Sequence, residues 1–447
     1  MNQGPIMLMQ SFDPSDGKLL GELAISSREL VEESITLAKA TYTSWRAKPI
    51  EERAKIVSDA FKSLVPHQEK LVQLLCQEMG KKFDRGLSEV RGSIYSGAHY
   101  ATEAKNALSS DKSQNIEYRP LGVCAVISPW NYPMAMAVNL FVPALIAGNT
   151  VVFKPSEETP LVADLMVNIL NKTLPEGVLN IVHGDGRVGS YLVESEDINL
   201  VAFTGSLAVG KKIMKTSAGN LKRLIMELGG NDPMIVLDDA NIEAAARFAV
   251  GSSFENSGQM CTSTERIYVH SRIADKFIQR VKEIAKTYKV GPWNSTDSQL
   301  GPIVNQKQLS KIKSQVEDAL SKGATLLLGG DTVDNRYFQP TVITDIKEDM
   351  QIEQSETFGP VVAISTVDSK EEAIARANNS AYGLGAAVFG EKDAREVASK
   401  IEAGMIGINK GPGGSGDSPW VGAKQSGYGY HGSKDGHRLF AQVTVVE

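Results

Sequence analysis

Residues 122–155 read GVCAVISPWNYPMAMAVNLFVPALIAGNTVVFKP, and this stretch decides the fold. No charge lies between Arg119 and Lys154, a length that suffices to cross a bilayer. Prolines and asparagines interrupt the run, however, and their unpaired polar groups oppose insertion into lipid. We therefore interpret it as a buried strand, a loop, a helix and a second buried strand.

The alternation of apolar runs with helix-length segments continues to residue 237. Its runs are GVCAVIS, TVVFKP, VLNIVHG, NLVAFTG, RLIMELGG and PMIVLDD. Continuous apolar strands separated by helices predict an α/β protein whose parallel sheet is covered on both faces and binds ligands beyond the carboxyl ends of its strands. Residues 28–109 have helical spacing, residues 241–409 form a second α/β series, and RLFAQVTVVE predicts a terminal strand.

Length and composition narrow the function. A chain of 447 residues predicts two or three domains, and a net charge of −6 offers no basic footprint for nucleic acid. Cys76, Cys124 and Cys261 are too scattered for a disulfide framework and fit a reducing compartment. Without a signal peptide or a membrane span, we expect a soluble cytoplasmic protein. The six histidines form no ligand-spaced helical pair, so no metal site is predicted.

Two nucleotide-binding motifs match only in part. Gly427 to Gly432 fits G-x-G-x-x-G but follows a polar loop, whereas the dinucleotide fingerprint follows a strand. Gly205 to Lys211 fits the opening of a P-loop, but Lys212 stands where a hydroxyl should bind Mg²⁺. This disfavours a nucleotide hydrolase. A Gly-Ser turn before a helix nevertheless suits a pyrophosphate.

Cys261 lies in FENSGQMCTSTER, between a glycine-containing turn and a predicted strand. A lone cysteine is more often a small buried hydrophobe than a nucleophile. Cys76, in an apolar helix, and Cys124, in an apolar strand, are assigned that role. The polar setting of Cys261 leaves both interpretations open.

Seven segments, one of which contains Cys261, resemble the aldehyde dehydrogenase superfamily in order and approximate spacing, over residues 10 to 440. They are SPWNYP (128–133), KPSEETP (154–160), FTGSLAVG (203–210), MELGG (226–230), SGQMC (257–261), ETFGPV (356–361) and VGAKQSGYG (421–429). The resemblance implies an α/β fold with a Rossmann-like NAD(P)-binding domain (1–112 and 125–228) and a catalytic domain (229–436). It also implies a bridging β element (113–124 and 437–447) that joins subunits into homodimers or homotetramers.

The resemblance implies a role for three residues. Cys261 is the nucleophile that forms a thiohemiacetal with the aldehyde, and the Asn131 amide and the Cys261 backbone N–H stabilise its oxyanion. Hydride transfer to a nicotinamide leaves a thioester, which water activated by Glu227 hydrolyses. From the residues alone, two structural roles are equally open: Asn131 could cap the helix that follows it, and Glu227 could belong to a turn beside two glycines.

The cofactor contacts follow from the same resemblance. Lys154 and Glu157 bind the adenosine ribose, Ser206 the pyrophosphate, and Glu356 and Phe358 the nicotinamide ribose and ring. The remaining contacts are assigned to Ile127, Trp130, Gly205 and Leu228. A carboxylate at 157 repels a 2′-phosphate, so NAD⁺ is expected, while Ser156 leaves NADP⁺ open.

Two positions expected in the substrate tunnel differ from those of the relatives specialised for succinic semialdehyde. Those relatives bind the distal carboxylate with arginines where this chain has Asn139 and Glu255. We therefore expect a neutral or cationic aldehyde, with a tunnel walled by Trp130, Met134, Met260, Thr262 and Trp420. Leu207 and Trp420-Val421 also differ from the usual pattern.

Four other functions stay open. A succinic or glutaric semialdehyde dehydrogenase is the first. A CoA-acylating relative is disfavoured because such relatives lack the glutamate at 227. A catalytically idle scaffold is disfavoured because Cys261, Glu227 and Asn131 are all present. A P-loop hydrolase is the fourth.

Overall fold

The computed structural model describes residues 7–109, 115–414 and 416–447. It begins with the hairpin β1 (Leu8–Phe12) and β2 (Leu19–Ala24). Four helices follow: α1 (Arg28–Arg46), α2 (Ile50–Lys62), α3 (Gln68–Met79) and α4 (Phe83–Leu108). The helices predicted over 28–109 are therefore confirmed. In α1 the buried residues Val31, Ile35, Ala38 and Trp45 recur at helical spacing and define the face that packs inward.

A six-stranded sheet comes next. Its strands are β4 (Val123–Ile127), β5 (Thr150–Lys154), β6 (Leu179–Ile181), β7 (Ile198–Thr204) and β8 (Arg223–Glu227), with β19 (Gly427–Tyr428) added at one edge. The order β19-β8-β7-β4-β5-β6 is parallel except for β19. The helices between the strands are α5 (Pro133–Ala147), α6 (Pro160–Leu170), α7 (Gly186–Glu194) and α8 (Leu207–Ser217).

A seven-stranded sheet forms the other half. Its strands are β9 (Asp232–Val236), β10 (Thr264–His270), β11 (Thr325–Leu328), β14 (Thr341–Thr344), β15 (Val361–Val367), β16 (Gly385–Phe389) and β17 (Met405–Ile408), in the order β11-β14-β15-β10-β9-β16-β17. Its helices are α9 (Ile242–Phe254), α10 (Ala274–Ala285), α11 (Gln306–Ser321), α12 (Gln351–Gln354), α13 (Lys370–Asn378) and α14 (Ala394–Ala398). The sixth predicted run, PMIVLDD, is thus a strand, but it belongs to this second sheet.

Short elements complete the fold. They are the pair β12 (Thr332–Val333) and β13 (Tyr337–Phe338), the pair β18 (Trp420–Val421) and β20 (Tyr430–His431), and helix α15 (Ser433–Arg438). The terminal strand β21 (Ala441–Val445) pairs antiparallel with β3 (Ile116–Pro120), as the bridging element predicts.

The domain boundaries stay predictions. Of the predicted segments, residues 1–6 and 110–114 lie outside the described residues. Val123 and Cys124, assigned to the bridging element, lie in β4. Among the helices that are described, none combines the length and apolarity needed to cross a membrane.

The packing of α4 on α2 gives a stability prediction. Gly97 is buried on α4, and a Cβ added there would overlap the Phe61 ring of α2. A Cβ added at Gly92 of the same helix would meet no described atom of another element within 4 Å. We expect Gly97→Ala to lower the free energy of unfolding by about 1–3 kcal/mol through overpacking. Gly92→Ala should leave it unchanged or raise it, because alanine favours helix. Equal urea midpoints for the two variants would contradict this packing.

Candidate active site

A cavity of about 330 Å³ lies beyond the carboxyl ends of β4, β7 and β8, at the edge where sheets of this kind bind ligands. Eleven sequence-predicted residues line it: Trp130, Asn131, Gly205, Ser206, Glu227, Leu228, Met260, Cys261, Glu356, Phe358 and Trp420. Segments far apart in the chain therefore meet in one place.

The loop before Cys261 has a strained backbone. Asn256 and Ser257 have φ values of 51° and 57°, and Gly258 follows at 74°, where a Cβ would overlap the Gly359 carbonyl oxygen. A non-glycine residue in this region costs about 1–3 kcal/mol unless its surroundings hold it. The Ser257 hydroxyl donates to the Gly301 carbonyl (2.9 Å), and Gln259 Oε1 accepts from the Val304 N–H (2.9 Å). These bonds fix the approach of the chain to Cys261.

The Cys261 thiol opens onto the cavity, which the Glu227 carboxyl also lines. Burial, reinforced by the charge of Glu227, raises the pKa of Cys261 well above its usual value. Cys76 and Cys124, by contrast, are fully buried away from the cavity, as predicted. The structure thus separates one accessible thiol from two packing residues.

Glu227 ends β8 and is buried. Burial raises its pKa to about 7, an effect opposed by the neighbouring Cys261 thiol and by the Trp420 indole N–H. Its Oε1 accepts from the Trp420 indole N–H (3.3 Å), and its Oε2 has no partner among the described residues. Such a carboxyl exchanges protons near neutral pH.

Asn131 is held by groups that the sequence did not reveal. Its Nδ2 donates to the Gln259 carbonyl (3.1 Å), which leaves its second N–H available. The backbone carbonyl of Asn131 accepts from Lys81 Nζ (2.7 Å). The Lys81 side chain is buried and forms an ion pair with Glu89 (2.5 Å). The Lys81 ammonium also lies 3.5 Å from the Tyr132 ring centroid.

Glu89 completes this anchor, because its Oε1 accepts from the Met134 (3.1 Å) and Ala135 (3.4 Å) N–H groups at the start of α5. A carboxylate at a helix N-terminus satisfies amides that lack intrahelical partners. The buried Lys81–Glu89 pair therefore fixes both Asn131 and the helix that follows it.

The predicted dinucleotide contacts fall into two groups. Gly205, Ser206, Leu228, Glu356, Phe358 and Trp130 line the cavity. The cavity lining does not include the other four. Ile127 is the last residue of β4 and Lys154 the last of β5, and Ser156 and Glu157 follow β5 in the chain. Lys154 Nζ is 3.5 Å from Glu157 Oε2, and Ser156 Oγ accepts from the Glu158 N–H.

These residues fit a dinucleotide. The first-turn amides of α8 have no partner within the helix, and the Ser206 side chain does not cap them. The Thr204 and Ser128 hydroxyls at the same edge are buried and unpartnered among the described residues. This edge therefore presents free donors to an anionic group.

Glu356 and Phe358 are held by a carboxyl that we did not predict. Buried Glu265 accepts from the Thr357 (2.6 Å) and Phe358 (2.8 Å) N–H groups, and Phe358 has a φ of 55°. Glu356 Oε1 accepts from the Gly230 N–H (3.2 Å). The Phe358 ring meets the Trp130 ring edge-on at 5.5 Å.

Four predicted substrate residues do not line the cavity: Met134, Asn139, Glu255 and Thr262. Met134 is fully buried in the core and Met136 lines the cavity instead, because residues two apart on a helix point in nearly opposite directions. Thr262 is also buried, and Asn139 is half-buried on α5.

Glu255 faces a separate cavity of about 610 Å³, where it pairs with Arg85 (3.0 Å). Its carboxylate is therefore neutralised, and it does not face the cavity that holds Cys261.

Sequence reasoning missed seven lining residues: Pro129, Tyr132, Met136, Thr204, Gly229, Gln308 and Lys311. Several adjoin motifs already recognised and could have been included by proximity. Gln308 and Lys311 lie on α11, a largely polar helix whose sequence carries no signal of a ligand site.

Comparisons with known proteins agree with this geometry. The aldehyde dehydrogenase family model matches residues 3–446. A Sinorhizobium fredii protein named a probable succinate-semialdehyde dehydrogenase of the NADP(+) type is 37% identical over 440 residues, which cover 95% of this chain and 89% of its own length.

Two solved structures are also similar. Succinate-semialdehyde dehydrogenase from Burkholderia pseudomallei has a TM-score of 0.93 at 35% identity, covering 98% of this chain and 94% of that one. Lactaldehyde dehydrogenase from Escherichia coli has a TM-score of 0.94 at 31% identity, covering 100% and 96%. The chain belongs to the aldehyde dehydrogenase family and, as the resemblance implied, is an NAD(P)-dependent oxidoreductase of aldehydes.

Proposed function

We propose that this chain oxidises an uncharged aldehyde to the carboxylic acid through a thioester on Cys261, with NAD⁺ as the preferred acceptor. The observation that carries the proposal is the cavity that Cys261, Glu227 and Asn131 line together.

In the first step the Cys261 sulfur attacks the aldehyde carbon while its proton passes to Glu227, which lines the same cavity. The carbonyl oxygen becomes an oxyanion, for which the second Asn131 N–H and the Cys261 backbone N–H are the donors. When bound, NAD(P)⁺ supplies the chemistry of hydride acceptance, and the acyl group is left on the sulfur.

Hydrolysis then requires a base beside the thioester. With a pKa of about 7, Glu227 first releases to solvent the proton that it took from the thiol, and its ionised form, with a free Oε2, then takes a proton from the water that attacks the acyl carbon and returns it to the departing Cys261 sulfur. A CoA-acylating enzyme would need a second thiol substrate here, and the presence of this base favours water.

For the cofactor, Gly205, Ser206 and the N-terminus of α8 would hold the pyrophosphate. Lys154 and Glu157 would hold the adenosine ribose, and Glu356 the nicotinamide ribose. The Glu157 carboxylate opposes a 2′-phosphate by repulsion, although its pairing with Lys154 weakens that effect.

The walls of the cavity favour an uncharged substrate. Trp130, Tyr132, Met136, Met260 and Trp420 supply apolar surface. The one lysine that lines the cavity, Lys311, lies 4.0 Å from Glu356 on the cofactor side. Because Glu255 points elsewhere, the argument for a cationic tail is lost.

Succinate semialdehyde is the second candidate. It is the substrate named for two of the similar proteins, and Arg85 is an exposed arginine close to the site. Arg85 is engaged with Glu255, however, and does not line the cavity. The likeness to lactaldehyde dehydrogenase shows that overall similarity does not decide the aldehyde.

A substrate panel tests the proposal. We expect kcat/KM to be at least about tenfold higher for pentanal than for succinate semialdehyde or 4-aminobutanal, because each charged tail loses solvation without gaining a partner. The measurement is reduced nicotinamide formed from each aldehyde with NAD⁺ and with NADP⁺. A preference for succinate semialdehyde would assign the second candidate, and no turnover of any aldehyde would refute the proposed reaction.

The pKa of Glu227 predicts the pH dependence. The base works only when ionised, so kcat should fall as pH drops through about 7. Glu227→Gln should lower kcat by about 10²-fold or more, because the thiol and the attacking water both lose their proton acceptor. Glu158→Gln is the control, since Glu158 pairs with Asn305 away from the cavity. A full-rate E227Q enzyme would exclude this role.

The Lys81–Glu89 anchor predicts coupling to Asn131. Asn131→Ala should lower kcat by about 10²–10³-fold. Lys81→Met should also lower kcat, but much less so in the Asn131→Ala background, because both changes remove the same donor. It should also lower the melting temperature, since Glu89 is left buried and unpaired.

Lys62→Met is the control, because Lys62 pairs with Asp59 on the exposed surface and should affect neither property. Independent, additive losses of kcat for Lys81→Met and Asn131→Ala would contradict the anchoring role.

We also infer a homodimer or homotetramer. In the described part of the chain β3 and β21 form a two-stranded ribbon, and Val443 and Val445 are exposed on it. An isolated ribbon is marginally stable and leaves its edges unpaired, so we expect a second copy of the chain to pack against it. Sedimentation equilibrium measures the number of subunits. The scattered free cysteines fit a reducing compartment such as the cytoplasm.

A further inference from the structure

Trp420 contacts the candidate base directly, and its indole N–H donates to Glu227 Oε1 at 3.3 Å. We propose that Trp420 is a positioning residue that holds the Glu227 carboxylate in its ionised form and in the orientation that serves both the thiol and water. This inference rests on the proposed role of Glu227 as the base. It assigns to Trp420 a function beyond that of a tunnel wall.

The indole is itself fixed. Trp420 pairs with His431 across the β18–β20 ladder, and the two rings stack at 6.5 Å with an interplanar angle of 20°. His431 is buried, and burial lowers its pKa to about 4, so its ring is uncharged at neutral pH. The indole therefore rests on a buried, uncharged ring.

The same segment also holds the backbone around Glu227. Gly427 of β19 pairs with Glu227 of β8. The Leu228 N–H donates to the Ser426 carbonyl (2.9 Å), and the Ser426 hydroxyl donates to the Gly229 carbonyl (2.7 Å). Residues 420–431 thus contact both the main chain and the side chain of Glu227. The strand pairing and hydrogen bonds of this segment restrict how the Trp420 indole can move relative to the Glu227 carboxyl.

A donor to a carboxylate favours its charged form. This matters at Glu227 because burial favours the neutral form, and the nearby carboxyl of Glu356 adds to that effect. The titratable and charged groups around Glu227 are Cys261, Glu356 and Asp232, with Lys311 beside Glu356 and His431 behind the indole. The Trp420 N–H is the donor that approaches from the cavity wall, which leaves Oε2 free for water.

Trp420→Phe tests the inference, because it keeps a ring on His431 and removes the N–H. We expect the acid limb of kcat to move up by about half to one pH unit, so that the ratio of kcat at pH 6 to kcat at pH 9 falls about three- to tenfold relative to the parent, whatever the absolute rate. Trp293→Phe is the matched control. It removes an indole N–H that donates to a carboxylate, Asp13 (3.0 Å), away from the cavity, and should leave the profile unchanged.

A second measurement needs neither aldehyde nor cofactor. Iodoacetamide alkylates Cys261 as its proton passes to Glu227, so the rate should show an inflection near pH 7 that Glu227→Gln abolishes. Cys76 and Cys124 are fully buried and do not compete. The inflection should move upward in Trp420→Phe by the same half to one unit as kcat.

The outcomes separate the two proposals. An alkylation profile of Trp420→Phe that coincides with the parent overturns the role of Trp420, whatever the enzyme oxidises. A shifted alkylation profile in a protein that oxidises no aldehyde supports the contact and refutes the proposed reaction. Trp420→Leu also lacks the N–H and replaces the phenylalanine variant in both measurements if that variant does not fold.

Discussion

The placement of the Cys261 thiol and the Glu227 carboxyl in one cavity imposes the constraint around which the rest of the site is built. In the proposed reaction both groups lose a proton to become active, and because both are buried, their two negative charges would repel each other. The pair is therefore most stable when it shares one proton, and burial raises the pKa of both members. A catalytic cycle that uses first the thiolate and then the carboxylate needs nearby donors that do not move.

The structure supplies that rigidity through buried polar groups on distant segments. Lys81 and Glu89 hold the Asn131 loop and the start of α5, while Glu265 holds the backbone amides of the loop that carries Phe358. Removing one member of such an arrangement leaves an unpaired buried charge, so each is costly to lose. The left-handed Asn256 and Ser257 show the same principle, because a strained turn persists only where its neighbours hold it.

Much of the fold was predictable because the signals are local. Apolar runs of strand length marked β4 to β9, and helical spacing marked α1 to α4. The strand β9 shows the limit of such signals. Its sequence shows that it is a buried strand, but the neighbours of a parallel strand are chosen by non-local pairing, and β9 pairs with β10 and β16. The prediction that Met134 lines the tunnel failed for a different reason: nearly every face of α5 is apolar, so its periodicity cannot show which side faces the cavity.

The sequence by itself determined the fold class and the family resemblance, and it predicted Cys261, Glu227 and Asn131 as the reactive set. These depend on residue type, on order and on patterns only a few residues long. Only the tertiary structure decided that Lys81 holds Asn131, that Trp420 donates to Glu227, and that Glu255 pairs with Arg85 away from the cavity. Those contacts join residues separated by 50 to 193 positions, and hydrogen bonds and ion pairs act over a few ångströms of space, whatever the distance along the chain.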